Sequence, residues 1–195
     1  VSVAPSLAEQ NPGGCYFAFN GMIDRKNVEQ LVSMCSDARN AGFREVTLCL
    51  SSLGGFLVDA YYAFNMLEAL PLRLITYNMS TVQSAANMLF LCGDERYACP
   101  GSTWFFHQTA FNETAAQRVT EAYAKEKLRA IQLDDARTAE IIANKTTQPV
   151  ERVREWQNTE VLMSTDDAIA HGILHEVRPL AIPDNALFRQ IILQG

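Results

Sequence analysis

Between residues 15 and 108 short β-rich runs alternate with helix-patterned ones, and no other feature of the sequence narrows the possible folds as far. "CYFAFNG" (15–21) reads as a strand. In "DRKNVEQLVSMCSDARNAG" (24–42) Asp24 is a candidate cap, Val28, Leu31, Val32 and Cys35 share one helical face, and Gly42 stands just past the end. "REVTLCLSS" (44–52) is a strand, Gly54-Gly55 a turn, "LVDAYYAFNMLEAL" (57–70) a helix and "LRLITYN" (72–78) another strand. A helix opened by Ser84, a short strand "RYAC" (96–99) and the strand "STWFFHQ" (102–108) continue the alternation. Repeated units of this kind imply an α/β fold with a largely parallel sheet covered by helices. Ligand sites in such folds gather at the carboxyl ends of strands. Gly54-Gly55, Ser84 and His107 all fall on that edge.

The rest of the chain supplies a frame for this unit. Residues 1–14, with two Pro, Asn and Gly-Gly, read as a flexible arm, and 15–195 as one domain. From Asn112 the chain is Gly-free and rich in helix formers, so one long helix is expected over about 112–144. Its roughly 30 residues would extend about 45 Å, more than a small core covers, so part of it should project or meet another subunit. A short helix after Pro149, the run "EVLMSTDDAIAHGI" and a final "LHEVRPL" complete the pattern.

Composition removes several functions. The 16 basic and 22 acidic residues leave a net charge of −6, which offers no field for nucleic acid or anionic lipid. Five cysteines without C-x-x-C spacing, mostly among apolar neighbours, fit reduced core residues in the cytoplasm better than a secreted scaffold. No basic segment followed by an apolar one opens the sequence, and no apolar run is long enough to span a bilayer.

Acyl transfer needs a nucleophile, a base, a group that orients the base, and donors for the oxyanion. In "STVQSAANM" (80–88) Ser84 stands between a β-rich and an apolar helical run. There it can cap the helix with its oxygen, or act as a nucleophile beside the positive end of the helix. His107 ends the aromatic strand; it is either a hydrogen-bonded structural histidine or a base. "SSLGGF" (51–56) is either a tight turn or a place where a backbone N–H approaches a ligand.

Taken in order, "SLGG" (52–55), "STVQSAAN" (80–87) and "RYACPGSTWFFHQT" (96–109) resemble the ClpP family of self-compartmentalised serine peptidases. The resemblance runs from about Tyr16 to Leu180. It implies a ClpP/crotonase-like repeated β-α-β spiral with a long projecting helix. It places His107 on the family's histidine, Ser84 on its nucleophile and Glu160, within "TEVLMSTDDAIAHGILHEV" (159–177), where the family has an aspartate. The same register makes the backbone N–H groups of Gly55 and Ala85 the oxyanion hole. Departures are Leu53 for a proline, Ala85-Ala86 for Met-Gly, and "HQTAFNETAAQ" in place of a glycine-containing segment after His107. The family also implies peptide or unfolded-protein substrates, a homo-oligomeric heptameric ring that can stack, and an AAA+ unfoldase partner. Such chemistry requires neither cofactor nor metal, and the charge and apolar pattern given above point to no contact with nucleic acid or membrane.

Three functions remain open on these grounds. One is a serine endopeptidase working through Ser84, His107 and Glu160. Another is a structural or regulatory ring subunit of weak catalysis, which the unusual neighbours of Ser84 favour. The third is a crotonase-like acyl-CoA enzyme, whose usual nucleotide-binding Gly/Ala segment is not evident.

Overall fold

A computed structural model describes residues 5–111 and 119–191. The alternation expected from the sequence is present: α1 (Leu7–Gln10), β1 (Cys15–Asn20), α2 (Arg25–Asn40), β2 (Glu45–Ser52), α3 (Leu57–Ala69), β3 (Arg73–Gln83), α4 (Ala86–Leu91), β4 (Glu95–Ala98) and β5 (Thr103–Phe106). There follow α5 (Glu121–Thr146), α6 (Val150–Thr159), β6 (Val161–Met163), α7 (Thr165–Ala170), β7 (Glu176–Val177) and β8 (Leu187–Gln190). The main sheet has the order β6-β5-β3-β2-β1-β8, and β4 pairs with both β3 and β7. Among the described residues every pairing of these strands is parallel except that of β5 with β6. The chain is thus a mixed α/β protein built as a β-α-β spiral.

Strand β3 is the axis of the design. It does not stop at Asn78, as the apolar run suggests, but continues to Gln83. Its first half pairs with β4 (Ile75–Asn78 against Glu95–Ala98), and its last residues pair with β5 (Thr81–Gln83 against Thr103–Phe105). A register shift in β2 between Leu50 and Ser52 accompanies the change of partner. The polar stretch Ser80-Thr81 is therefore strand because β5 supplies a partner, a long-range pairing with no local signal.

All six residues of α4 are buried, as an apolar helix requires. Only four residues of α5 are fully buried, Ala139, Ile142, Ala143 and Thr146, all in its C-terminal half. The other half carries exposed Leu128 and Leu133 and stands away from the core. Residues 112–118 of the expected helix lie outside the described residues. The helix itself begins at Glu121, where the Thr120 side chain accepts from the Tyr123 N–H, and it runs to Thr146. Neither 107–111 nor 119–120 forms a strand.

Within the stretch read as an arm, Leu7–Gln10 form the short helix α1. Ser6 and Glu9 form a capping box on α1, and the Ala8 N–H donates to Ala41 O at the end of α2 (3.3 Å). Strand β8 adds to the free edge of β1, with Cys15 opposite Leu187. Cys15, Cys35, Cys49 and Cys92 are buried free thiols. Burial pushes Cys15 up to about 11 and both Cys35 and Cys49 up to about 12, so these act as small apolar side chains.

Candidate active site

Ser84 follows β3 directly and takes a left-handed backbone conformation, φ 54°. A non-glycine residue there is strained, and such strain persists only where the surroundings over-determine it. They do so here: the Ser84 N–H donates to Phe105 O on β5 (2.9 Å), and the Ser84 carbonyl accepts from Asn87 N (3.1 Å) and Asn87 Nδ2 (3.0 Å). The second Nδ2 hydrogen of Asn87 goes to Phe105 O (2.9 Å). The cap of α4 is Ala85, without a side-chain hydrogen bond. The Ser84 hydroxyl therefore caps nothing, and it makes no hydrogen bond with any described residue.

Gly54 is needed for this turn. Its φ is +99°, and a Cβ there would lie 2.7 Å from Ser84 Cβ and 2.9 Å from Gln83 O. The glycine turn is held by Ile23, whose N–H donates to Gly54 O (2.9 Å) and whose carbonyl accepts from the Phe56 N–H (2.8 Å). Those bonds skip Gly55. Among the described residues neither the Gly55 nor the Ala85 N–H has a hydrogen-bond acceptor.

His107 is the first residue past β5. Its ring stacks on Phe105 (5.4 Å between centroids, 26°), and Nδ1 lies 2.6 Å from Gln108 O. A carbonyl can only accept, so Nδ1 carries the proton and Nε2 of the neutral ring is the acceptor. Ser84 and His107 line one cleft, together with Leu57, Ala85, Asn87 and Gln157. No hydrogen bond joins Ser84 to His107 in this arrangement. A larger hollow of about 530 Å³ is lined by Met22, Ser51, Leu53, Gly55 and Thr81.

Glu160 terminates α6 with φ 53°, its N–H bonded to Trp156 O, and it is exposed. The antiparallel register of β5 and β6 pairs Phe106 with Val161, so one further step sets His107 opposite Glu160. The carboxylate has no hydrogen bond or ion pair with a described residue and does not line the cleft. The other histidines lie elsewhere. His171 packs on Trp156, and His175 Nδ1 accepts from the Arg96 N–H (3.0 Å).

Sequence reasoning missed Asn87. It is 2% exposed and lines the cleft, and its Oδ1 is buried without a partner. The available signal was one polar residue in the otherwise apolar run "ANMLFL" (86–91). Among the described residues no cluster of His, Cys, Asp or Glu could hold a metal ion, and no helix is long and apolar enough to cross a membrane.

These features define a class: a β-α-β spiral that presents a strained serine turn, a histidine and a glycine turn at one sheet edge. The family model described as "Clp protease" matches residues 18–179, and the chain belongs to that family. It is 25% identical over 150 residues to the ATP-dependent Clp protease proteolytic subunit 2 of Streptomyces coelicolor, covering 75% of this chain and 66% of that protein. It is 27% identical over 139 residues to the proteolytic subunit 4 of Streptomyces avermitilis, covering 69% and 59%. In each case less than two thirds of the relative is spanned. A mutant of ClpP1 from Listeria monocytogenes shares the fold with a TM-score of 0.75 at 18% identity, covering 84% of this chain and 90% of that one.

Proposed function

We propose that the chain is a serine endopeptidase of ClpP type that cleaves peptides or unfolded proteins. Ser84 Oγ attacks the scissile carbonyl while His107 Nε2 takes its proton. The N–H groups of Gly55 and Ala85 receive the oxyanion. The tetrahedral intermediate collapses to an acyl-Ser84 ester as His107 returns the proton to the leaving amine. Water, activated by the same imidazole, then releases the acid and restores Ser84. The Gln108 carbonyl holds the imidazole in the tautomer this needs. Glu160 is the proposed third member, which the β5–β6 register sets opposite His107.

The observation that carries the reading is the left-handed Ser84 turn, with a free hydroxyl, in the same cleft as His107 and beside two backbone N–H groups without acceptors. Hydrogen bonds of catalytic groups commonly tighten only when substrate binds. The exposed Leu128 and Leu133 of α5 support a homo-oligomer, with the family's heptameric ring and AAA+ unfoldase as the proposed assembly. The free thiols support a cytoplasmic setting.

The test is intact mass after treatment with a fluorophosphonate, on wild type and Ser84→Ala in parallel. One adduct on the wild type and none on the variant is expected. No adduct on assembled protein would favour a structural ring subunit. That second reading has one observation behind it, the absence of contact between Glu160 and His107.

A further inference from the structure

The Glu160 carboxylate has no bond to His107, but another carboxylate is connected to the imidazole through a single peptide group. The Gln108 carbonyl, which accepts from His107 Nδ1 (2.6 Å), and the Thr109 N–H belong to one peptide unit, and that N–H donates to Asp135 Oδ1 on α5 (2.8 Å). A peptide is planar, so a bond that fixes the direction of its N–H fixes the direction of its C=O as well. From Asp135 through the 108–109 peptide to the imidazole there is thus one chain of hydrogen bonds, each polarising the next. Its first link is charge-assisted and puts a negative charge behind the carbonyl that faces the ring. Asp135 is itself held in place. Gln157, 3% exposed, donates from Nε2 to the Asp135 carbonyl (3.3 Å), and the Tyr61 hydroxyl donates to Asp134 O (3.0 Å), so α6 and α3 pin this turn of α5. Gln108 is anchored too, its Nε2 donating to Asn158 Oδ1 (2.7 Å). The half-buried Asp135 carboxylate forms no ion pair among the described residues, which leaves its charge to act on that peptide.

We infer that Asp135 is a positioning residue for His107: its carboxylate sets the 108–109 peptide so that Gln108 O keeps the imidazole proton on Nδ1 and leaves Nε2 to receive the proton of Ser84. The inference rests on the serine peptidase reading and adds to it a support for the base that comes from α5. When the ring takes up that proton and becomes cationic, the carbonyl and the carboxylate behind it stabilise the charge. A carboxylate that only tied the segment after β5 to α5 would change stability and leave the tautomer and the turnover alone.

The experiment uses the whole protein as wild type, Asp135→Ala and Asp135→Asn, matched by elution on size exclusion. Each is labelled with fluorophosphonate and assayed on a fluorogenic peptide. With histidine nitrogens isotope-labelled, NMR reads which ring nitrogen of neutral His107 carries the proton, the signal being assigned with His107→Asn. Wild type should carry it on Nδ1. Asp135→Ala should lose about ten- to hundredfold in kcat with KM within about twofold, and its His107 should shift toward the Nε2 tautomer. Asp135→Asn, whose amide oxygen can accept the same bond without the charge, should lie between. Wild-type kcat in Asp135→Ala, or a wild-type ring protonated on Nε2, would overturn the positioning role and leave the peptidase standing. No labelling and no cleavage by wild type would overturn the peptidase reading and this role with it. The wild-type spectrum needs no Asp135 variant, so a misfolded Asp135→Ala cannot hide the answer.

Discussion

At its first end β3 lies between β2 and β4, and nearly every polar group there has a partner. Arg73 bridges Glu45 and Glu95 across the three strands, the Leu74 N–H meets Asp94 Oδ2 (2.8 Å), and Thr76 Oγ1 donates to Phe90 O (2.8 Å). Arg96, 7% exposed, donates to the carbonyls of Gly93, Lys145, Gly172 and Ile173 and so ties β4 to the ends of α5 and α7. At its second end, against β5, the same strand runs into Ser84, and there the pairing stops. The Ser84 hydroxyl, the Ala85 and Gly55 N–H groups and Asn87 Oδ1 have no partner among the described residues. One strand therefore joins a satisfied network, which holds the fold, to a turn whose polar groups are left without protein partners.

The largest effect should come from the second end. Ser84→Ala is expected to lower turnover about 10³-fold or more, with the melting temperature unchanged, because the hydroxyl holds nothing in the fold. Peptide hydrolysis and thermal unfolding on the same preparation check both halves. The first end should behave oppositely. Arg96→Met strands four carbonyls at helix ends and is expected to cost about 3 kcal/mol or more in urea unfolding, while folded molecules still label at Ser84.

Gly54→Ala crosses the boundary. Its backbone strain and the contact with Ser84 Cβ should cost about 1–3 kcal/mol and slow fluorophosphonate labelling together. Stability lost without any slowing would mean that the glycine turn does not shape the serine turn.

Glu160→Ala should cost less than about tenfold in kcat/KM, because the Gln108 carbonyl already fixes the His107 tautomer. A far larger loss would show that the carboxylate takes over from that carbonyl in the working enzyme. The smallest effect returns to the first end. Burial, with the Arg96 charge second, holds the His175 pKa below 6.5. The folded state thus favours the neutral ring that accepts from the Arg96 N–H. This contribution is present above about pH 6.5 and is lost as pH falls through the lower folded value. His175→Asn keeps an acceptor and should flatten that part of the pH-stability profile.

The sequence was most legible where local pattern and tertiary structure agree. Val28, Leu31, Val32 and Cys35 are buried on α2, and Asp24 caps it by accepting from the Asn27 N–H. It was least legible where distant partners decide. Thr81 to Gln83 are strand because β5, and at Val82 also β2, lies beside them, and β8 forms on the free edge of β1. The short helix α1 did carry a local signal, the Ser6–Glu9 capping box, beside its one bond to Ala41. At the candidate site the positions of Ser84 and His107 could be read from their junctions. The left-handed turn could not, since it follows from bonds to Phe105 and the packing of Gly54. Nor could the distance between Glu160 and the imidazole, which depends on side-chain direction at the end of a two-strand ladder.

The dependence of Ser84 on Phe105 and Gly54 also orders events during biosynthesis. Gly54 has already emerged when the serine does, but Phe105 has not, so a chain that ends at the serine lacks the bond that holds its left-handed turn. The hydroxyl then sits in ordinary extended or helical backbone with no aligned donors, as unreactive as any serine in water. Whatever reactivity the finished protein has is thereby withheld until β5 has docked.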